Sequence, residues 1–191
     1  KRIFYNQATL HVVHDGKIMN VKMFNNGKIQ ITGIKHEHQP TELVNLLIEY
    51  LQDIDIMDLD TYIIDTKIVL INSDFDIKMQ LDRELLHREI IELGIYSSYE
   101  PCNYPGVNIK YYINSNNRNG ICQCQNICNG KGRANGDGDC KKVTIAVFKS
   151  GKAIITGAQN KQQLHTCHKF IMDFIEERKE FLKIEEHNLL D

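Results

Sequence analysis

The sequence of 191 residues predicts an α+β fold in which two copies of one hairpin-and-helix unit follow each other along the chain. The first observation is a repeat, because a shift of 124 positions brings "MFNNGKIQITGI" (23–34) onto "VFKSGKAIITGA" (147–158). The second is that apolar and polar residues alternate on both sides of each turn, as in half-buried antiparallel strands. The third is an apolar helical stripe that follows each hairpin at the same offset.

Each predicted hairpin has one face of apolar side chains and one mixed face. The apolar faces hold Val21, Met23, Ile29 and Ile31 in the first copy, and Ile145, Val147, Ala153 and Ile155 in the second. The mixed faces hold Asn20, Lys22, Phe24, Lys28, Gln30 and Thr32 in the first copy, and Thr144, Ala146, Phe148, Lys152, Ile154 and Thr156 in the second. Gly27 and Gly151 permit the positive φ of a tight turn. We therefore expect an uncovered sheet face with a phenylalanine beside each turn.

The helix after each hairpin is predicted to cover the apolar face. Its stripe is spaced i, i+3, i+4, i+7, which places all four residues on one side of a helix. The stripe consists of Leu43, Leu46, Leu47 and Tyr50 in the first copy, and of Cys167, Phe170, Ile171 and Phe174 in the second.

The segment between the copies begins with an acidic connector (53–65) and continues with "TKIVLI" (66–71), which predicts a buried strand. An amphipathic helix is expected over 80–94, with Gly94 at its end and an apolar side of Leu81, Leu85, Leu86, Ile90 and Leu93. A further strand is expected over 108–113. The first copy has no counterpart of the strand at 66–71 or the helix, and we expect those elements upstream of Lys1. The predicted units are residues 1–60 and 61–191, the second with an insertion at 114–140.

Charge alternates along the chain although the net charge is only −2. Residues 1–36 carry 6 basic and 1 acidic side chains and residues 101–161 carry 9 and 2, whereas residues 37–100 carry 4 and 15. The net value argues against strong non-specific binding to nucleic acid, and the alternation predicts a folded protein with faces of opposite charge. No apolar run approaches the roughly 20 residues of a membrane span, so no membrane partner is expected.

The insertion contains four closely spaced cysteines: Cys122, Cys124, Cys128 and Cys140. Their neighbours are Asn, Gly, Lys and Asp, so burial in an apolar core does not explain them. Four thiolates can hold one tetrahedral Zn²⁺, whose binding would order a segment with few apolar residues. One structural zinc is therefore expected, and two disulfides or four free thiols remain alternatives. The reducing interior of a cell favours zinc over disulfides.

The stretch "YSSYEPCNYPGVNIKYY" (96–112), followed by "VTIAVFKSGKAIITGA" (143–158), resembles the second repeat of the TATA-binding protein family. Residues 20–51 are similar to part of its first repeat, and the insertion and the degenerate first copy resemble the divergent members of large DNA viruses. The resemblance implies a saddle, in which two pseudo-repeats form a curved antiparallel sheet with helices on its convex face. It implies a transcription initiation factor without enzymatic activity, whose concave face binds and bends double-stranded DNA through the minor groove.

The resemblance also assigns roles to residues of the mixed faces. Phe148 and Tyr104 match the side chains that wedge between base steps in the second repeat, and Phe24 matches one wedge of the first. Its partner would fall within residues 3–7, where Phe4 is the candidate. The family's groove-contacting threonines and basic positions near phosphates correspond to Thr32, Thr156, Lys28, Lys152 and Lys110.

Three departures from the family are expected to change function. Val69 and Leu70 replace a Gln-Asn pair of the leading strand, and Lys22 and Gln30 occupy positions of the reading face that are usually apolar. Because A·T recognition in the minor groove depends on small apolar contacts, we expect a relaxed or altered TATA preference.

The expected protein partner is a TFIIB-type initiation factor or RNA polymerase, contacted through Glu100. The expected state is a monomer or weak dimer inside the cell, in the nucleus or a cytoplasmic viral factory. The alternative function is an interaction scaffold of the transcription machinery that has lost most DNA binding. An enzyme is not expected, because no catalytic constellation is present in the sequence.

Overall fold

A computed structural model of the chain describes residues 5–184, except the side chains of residues 117 and 118. The chain divides into two compact units, residues 1–67 and 68–191. Both units combine antiparallel sheets with helices, so the predicted α+β class is confirmed. None of the described helices is long and apolar enough to cross a membrane.

The first unit is a three-stranded antiparallel sheet followed by one helix. Its elements are β1 (Gln7–His14), β2 (Lys17–Phe24), β3 (Ile29–Thr32) and α1 (Gln39–Asp53), and the strand order is β1-β2-β3. Met19 and Val21 of the sheet pack against Leu43 and Leu47 of α1, and all four side chains are buried. The helix therefore covers one face of this sheet.

The second unit is a larger sheet with two long helices. Its elements are β4 (Ile71–Asp76), α2 (Arg83–Glu92), β5 (Tyr96–Ser98), β6 (Val107–Asn114), β7 (Asn117–Gly120), β8 (Lys141–Val147), β9 (Lys152–Ala158), α3 (Lys161–Glu177) and α4 (Lys179–Leu182). The strand order is β4-β9-β8-β6-β5, with β7 paired to β6. The core lies between this sheet and the helices, where Ile109, Ile145 and Ile155 pack with Ile90 and Ile171.

Local signals fix the beginnings of the two long helices of the second unit. The Asp82 side chain accepts hydrogen bonds from the N–H groups of Glu84 and Leu85, each at 3.0 Å. Asn160 accepts from the N–H of Gln163 at 2.9 Å. These side chains satisfy N–H groups that have no partner within the helix.

The two turns that repeat in the sequence have the same hydrogen bonds. The N–H of Phe24 donates to the carbonyl oxygen of Lys28 at 2.9 Å, and the N–H of Gly27 donates to that of Phe24 at 3.0 Å. Phe148, Lys152 and Gly151 form the same two bonds at the same distances. Both glycines have positive φ, 78° and 82°, as a three-residue hairpin loop requires.

Strand β1 was missed in the sequence, although its signal is present. Asp15 and Gly16 join it to β2 with φ of 50° and 70°. Two consecutive residues with positive φ are typical of the type I′ turn, for which Asp-Gly is a preferred pair. An Asp-Gly pair between alternating residues therefore marks this hairpin.

The predicted buried strand over 66–71 is wrong. Residues 66–70 lie outside any strand and are exposed, with Val69 73% exposed, and β4 begins at Ile71. Pairing with β9 decides where the strand β4 lies in the sequence. It places Phe75 on the core side of the sheet and Asp74 and Asp76 on the other side. The strand is half-buried and alternating, so the preceding apolar run was misleading. Val69 and Leu70 therefore do not lie in the leading strand.

Two predicted helix faces also need correction. The helix expected over 80–94 extends over Arg83–Glu92, and Leu93 beyond it is exposed. In α1, Leu46 and Tyr50 are 53% and 61% exposed instead of buried. The corresponding Phe170 of α3 contacts the large ring of Tyr111 with 4.7 Å between centroids. When the two hairpins are aligned, Val12 of the first unit corresponds to Tyr111 of the second. Valine is smaller than tyrosine, so the sheet of the first unit offers less contact to this side of α1.

The shared turn gives a matched stability prediction. Gly27→Ala introduces a side chain at positive φ with nothing within 4 Å of the new Cβ, so it should destabilise the protein by about 1 kcal/mol. Gly151→Ala has the same backbone cost, and its Cβ also clashes with the Met79 carbonyl oxygen. We expect urea unfolding followed by circular dichroism to show a loss of about 2–4 kcal/mol for Gly151→Ala. Equal losses for both variants would contradict the predicted clash.

Candidate functional site

Each sheet has an outward face, defined as the face opposite the one that packs against helices. In the first unit it comprises Gln7, Thr9, His11, Val13, Ile18, Asn20, Lys22, Phe24, Gln30 and Thr32. In the second unit it comprises Tyr96, Ser98, Asn108, Lys110, Tyr112, Lys142, Thr144, Ala146, Phe148, Lys152, Ile154, Thr156, Asp74 and Asp76. The register thus brings the residues predicted to bind DNA onto these two faces, with Lys28 and Tyr104 beside them.

Two aromatic rings meet at the turn end of the second outward face. The centroids of Tyr104 and Phe148 lie 5.8 Å apart, with a tilt of 56° between the rings. The N–H of Tyr104 donates to the carbonyl oxygen of Glu100 at 2.9 Å, and the Arg83 guanidinium donates to that of Pro105 at 2.6 Å. Gly106 lies between the rings, where a Cβ would be 2.8 Å from Tyr104 and 3.1 Å from Phe148. A glycine here allows the two rings to stay together.

Tyr5 occupies the equivalent place in the first unit. Gln7 is opposite Phe24 in the β1–β2 ladder, and Gly106 lies beside Phe148 in the second unit. Tyr5 precedes Gln7 by two residues, as Tyr104 precedes Gly106. Tyr5 is 98% exposed. The sequence candidate Phe4 lies outside the described residues. Counting back from the Asp15-Gly16 turn would have identified Tyr5 from the sequence.

The two outward faces also share a polar cross-strand pair. Lys110 Nζ donates to Thr144 Oγ1 at 3.0 Å. His11 and Asn20 occupy the same places of the first unit, with 3.3 Å between His11 Nε2 and Asn20 Nδ2. Burial and the charge of Lys142 lower the pKa of Lys110. The second unit therefore has two lysines close together at this pair.

Lys152, predicted as a phosphate contact, forms an ion pair within the protein. Its Nζ lies 2.7 Å from Asp76 Oδ2, and Lys78 Nζ lies 3.3 Å from the same oxygen. The hydrogen bond from Lys152, followed by that from the Lys78 backbone, holds the pKa of Asp76 well below its ordinary value of 3.8. Asp76 therefore stays ionised at the turn end of the outward face and neutralises Lys152.

The residues expected to alter sequence preference face each other across two strands. Lys22 of β2 pairs with Gln30 of β3, and the equivalent pair of the second unit is Ala146 with Ile154. A polar pair thus replaces an apolar one at the middle of the first outward face. Thr32 lies opposite Asn20, and Thr156 opposite Thr144.

Glu100 lies on the exposed segment before Tyr104. Its side chain accepts a hydrogen bond from Asn103 Nδ2 at 2.9 Å, which holds the segment in a turn. The carboxylate stays on the protein surface, where a partner can contact it.

The four cysteines of the insertion come together. The sulfur atoms of Cys122, Cys124, Cys128 and Cys140 all lie within 4.8 Å of one another, and all four are free thiols. A tetrahedral site with Zn–S bonds of about 2.3 Å places its sulfurs about 3.8 Å apart. Cys124 and Cys140 are 3.3 Å apart, and Cys140 and Cys122 are 3.8 Å apart. This cluster could hold a metal ion.

Hydrogen bonds organise the loop around the cysteine cluster. The Asp137 carboxylate accepts from the N–H of Gln125 at 2.7 Å and from the N–H of Asn126 at 3.1 Å. Asn114 of β6 donates to Cys140 Sγ at 3.3 Å and to the carbonyl oxygen of Gly136 at 2.6 Å. Burial raises the pKa of Cys140. The loop is thus tied to the sheet at the buried cysteine.

Comparison with known proteins gives one consistent result. Residues 65–178 match the family described as transcription factor TFIID (or TATA-binding protein, TBP). The chain is 30% identical over 184 residues to a TATA-box-binding protein-like protein of Acanthamoeba polyphaga mimivirus, covering 88% of this chain and 47% of the relative. It is 25% identical over 158 residues to the TATA-box-binding protein of Methanococcus aeolicus, covering 83% of this chain and 68% of the relative. The chain thus spans about half the length of the viral relative.

A solved structure shows the same fold. The chain matches Methanococcus jannaschii TBP with a TM-score of 0.55 and 21% identity, covering 84% of this chain and 73% of the other. The fold and the family resemblance predicted from the sequence are therefore confirmed.

The ion pair at the turn gives a direct titration test. Lys152→Met removes the largest cause of the lowered pKa of Asp76, so this pKa should rise towards 3.8. Because the folded-state pKa is depressed, the pair stabilises the wild-type fold at neutral pH, and this contribution is lost only as the pH falls through the folded-state pKa. The midpoint is followed through the carboxyl ¹³C shift by NMR. Lys78→Met is the control and should have a smaller effect, and an unchanged midpoint in Lys152→Met would refute the assignment.

Proposed function

Because the chain belongs to the TATA-binding protein family, we propose that it is a transcription initiation factor that binds and bends double-stranded DNA through the minor groove. The observation that carries this proposal is the pair of aromatic rings, Tyr104 and Phe148, at the end of the sheet face opposite the one on which the described helices of the second unit pack. An aromatic pair in this place can insert between base steps and kink the duplex. The chain acts by binding and has no catalytic role.

Each unit contributes one wedge to the proposed interface. Phe148 and Tyr104 unstack a base step at one site, and Phe24 and Tyr5 do so at another. Unstacking costs a few kcal/mol per step, which the larger contact area of bent DNA offsets. Thr32 and Thr156 contact the groove, and Lys28, Lys110 and Lys152 lie near phosphates. For Lys152 this contact competes with the ion pair to Asp76.

The preference for A·T-rich sites is relaxed in the proposed function. Minor-groove discrimination depends on apolar contacts that leave no room for the guanine amino group. Lys22 and Gln30 replace such contacts in the first unit by long polar side chains that can donate and accept hydrogen bonds. The first unit therefore contributes less to discrimination than the second.

Glu100 is proposed as part of a surface for a TFIIB-type initiation factor or RNA polymerase. The protein acts inside the cell, in the nucleus or a viral factory, as a monomer or weak dimer. The second candidate is an interaction scaffold with little DNA binding. The carboxylates of Asp74 and Asp76 on the outward face favour it, because they repel phosphates.

One structural zinc is proposed at the cysteine cluster. The donor set of four thiols and their spacing fit tetrahedral Zn²⁺. Ile127 of the insertion is almost fully exposed, so its side chain does not help to order this loop by apolar packing. Zinc would supply the cross-link that the loop otherwise lacks.

Bending by the wedges is testable with a duplex that carries a donor and an acceptor dye at its two ends. Phe148→Ala should reduce the bend seen by energy transfer and raise Kd by about tenfold, or about 1.4 kcal/mol. Tyr5→Ala should reduce the bend in the same direction. Tyr62→Ala is the control, because this exposed tyrosine lies outside both sheets. Absence of binding to A·T-rich and G·C-rich duplexes at low salt would refute the proposal and favour the scaffold.

Zinc binding is testable by metal analysis of protein purified without chelator. We expect about one zinc per chain, lost in Cys122→Ser together with an increase in thiol reactivity. Cys102→Ser is the matched control, because Cys102 is exposed and outside the cluster. Reactive thiols without stoichiometric zinc, or disulfides found by mass spectrometry, would rule out the zinc site.

A further inference from the structure

Two lysines lie together on the second outward face at the end nearest the cysteine cluster. Lys110 donates a hydrogen bond to Thr144, and Lys142 is opposite Tyr112, which is the next pair of the β6–β8 ladder on the same face. Within the described part of the chain, neither lysine forms an ion pair with a carboxylate. The charge of Lys142 and burial lower the pKa of Lys110, which agrees with the closeness of the two cations. This end of the face therefore has positive charge that no carboxylate among residues 5–184 neutralises.

Lys142 is held directly by the cysteine-rich loop. Its N–H donates to the carbonyl oxygen of Gly130 at 2.8 Å, and the N–H of Gly132 donates to that of Cys140 at 3.0 Å. These bonds form a short antiparallel ladder between residues 130–132 and 140–142. Cys128 lies two residues before Gly130, and Cys140 lies two residues before Lys142. One side of the ladder thus begins at a cysteine of the cluster, and the other begins two residues after one.

The loop also packs closely on the outward-facing side chains. A Cβ on Gly130 would be 2.5 Å from Lys142 Cβ and 3.0 Å from Tyr112 Cε1, and Gly130 has a φ of 71°. Burial, and next the nearby thiols of Cys122, Cys128 and Cys140, raise the pKa of Tyr112. Only a glycine allows the loop to lie this close to Lys142 and Tyr112, so their positions depend on where the loop lies.

The lysine at the other end of this face differs in its surroundings. Lys152 is neutralised by Asp76 at 2.7 Å, so a phosphate there must compete with a carboxylate. No such competition exists at Lys110 and Lys142 within the described residues. The cluster end is therefore where the second unit gains most from a phosphate.

We propose that metal binding at the cysteine cluster controls the affinity of the interface for DNA, by fixing Lys142 and Tyr112 beside Lys110 as a subsite for one backbone phosphate. This inference rests on the proposed DNA binding. The metal fixes the loop, and the loop fixes the side chains of Lys142 and Tyr112. Lys110 and Lys142 then face the phosphate, and DNA binding does not have to order the loop. By thermodynamic linkage, DNA must tighten metal binding by the same factor as the metal tightens DNA binding.

The test uses the full chain and a fluorescently labelled A·T-rich duplex, with anisotropy measured over a range of NaCl concentrations. Removal of zinc by a chelator should weaken binding by about tenfold, and the duplex should strengthen zinc binding by the same factor. In zinc-loaded protein, Lys142→Ala should reduce the slope of log K against log salt by about 1 and abolish the mutual effect of zinc and DNA.

Lys141→Ala is the matched control, because it removes the same charge from the neighbouring residue on the other side of β8. It should leave the mutual effect of zinc and DNA intact. If zinc and DNA affected each other's binding equally in Lys142→Ala and Lys141→Ala, the inference would be overturned. This comparison holds even if chelation partly unfolds the second unit, because unfolding affects both variants alike. Equal DNA affinity with and without zinc would also overturn it. Absence of duplex binding in either metal state would instead refute the proposed function on which it rests.

Discussion

The described helices of each unit pack on one face of its sheet, and the rest of the structure depends on this constraint. Strand side chains alternate with a period of two, so burial of Val21 or Ile145 under a helix forces the residues on either side to the opposite face. The turn glycines set where the chain reverses direction. The phenylalanine before each turn therefore lies on the uncovered face in both units. The candidate interface of sheet residues follows directly from how the core is made.

Much of this could be predicted from the sequence because the determining signals are local. The turns at 24–28 and 148–152 depend on glycine conformation, and the four cysteines lie within one short segment. The position of β4 could not be predicted in this way, because its pairing with β9 decides which residues form the strand. The exposure of Leu46 could not be predicted for a similar reason, because the residue opposite it is the small Val12 of another element, where the second unit has Tyr111 against Phe170.

The candidate interface shows the same division between local and non-local information. Alternation placed Phe24, Lys22 and Thr32 on one face without knowledge of the fold. The ion pair of Lys152 with Asp76 joins residues far apart in sequence and changes what a predicted phosphate contact can do. Tyr5 is identified by the register of β1 with β2, which the Asp15-Gly16 turn sets. Asp76 neutralises Lys152 at the turn, whereas no described carboxylate neutralises Lys110 and Lys142 at the cluster end, so the two ends of the second face are chemically different.

The proposed DNA binding by the outward sheet faces, and not by the helices, can be measured by NMR titration of the full chain, loaded with zinc, with a short duplex. The signals of Phe24, Thr32, Phe148 and Thr156 should shift or broaden first, together with that of Tyr112. The signals of α1 and α3 should change little. Changes confined to the helices, with the outward faces unaffected, would refute DNA binding by the sheet faces.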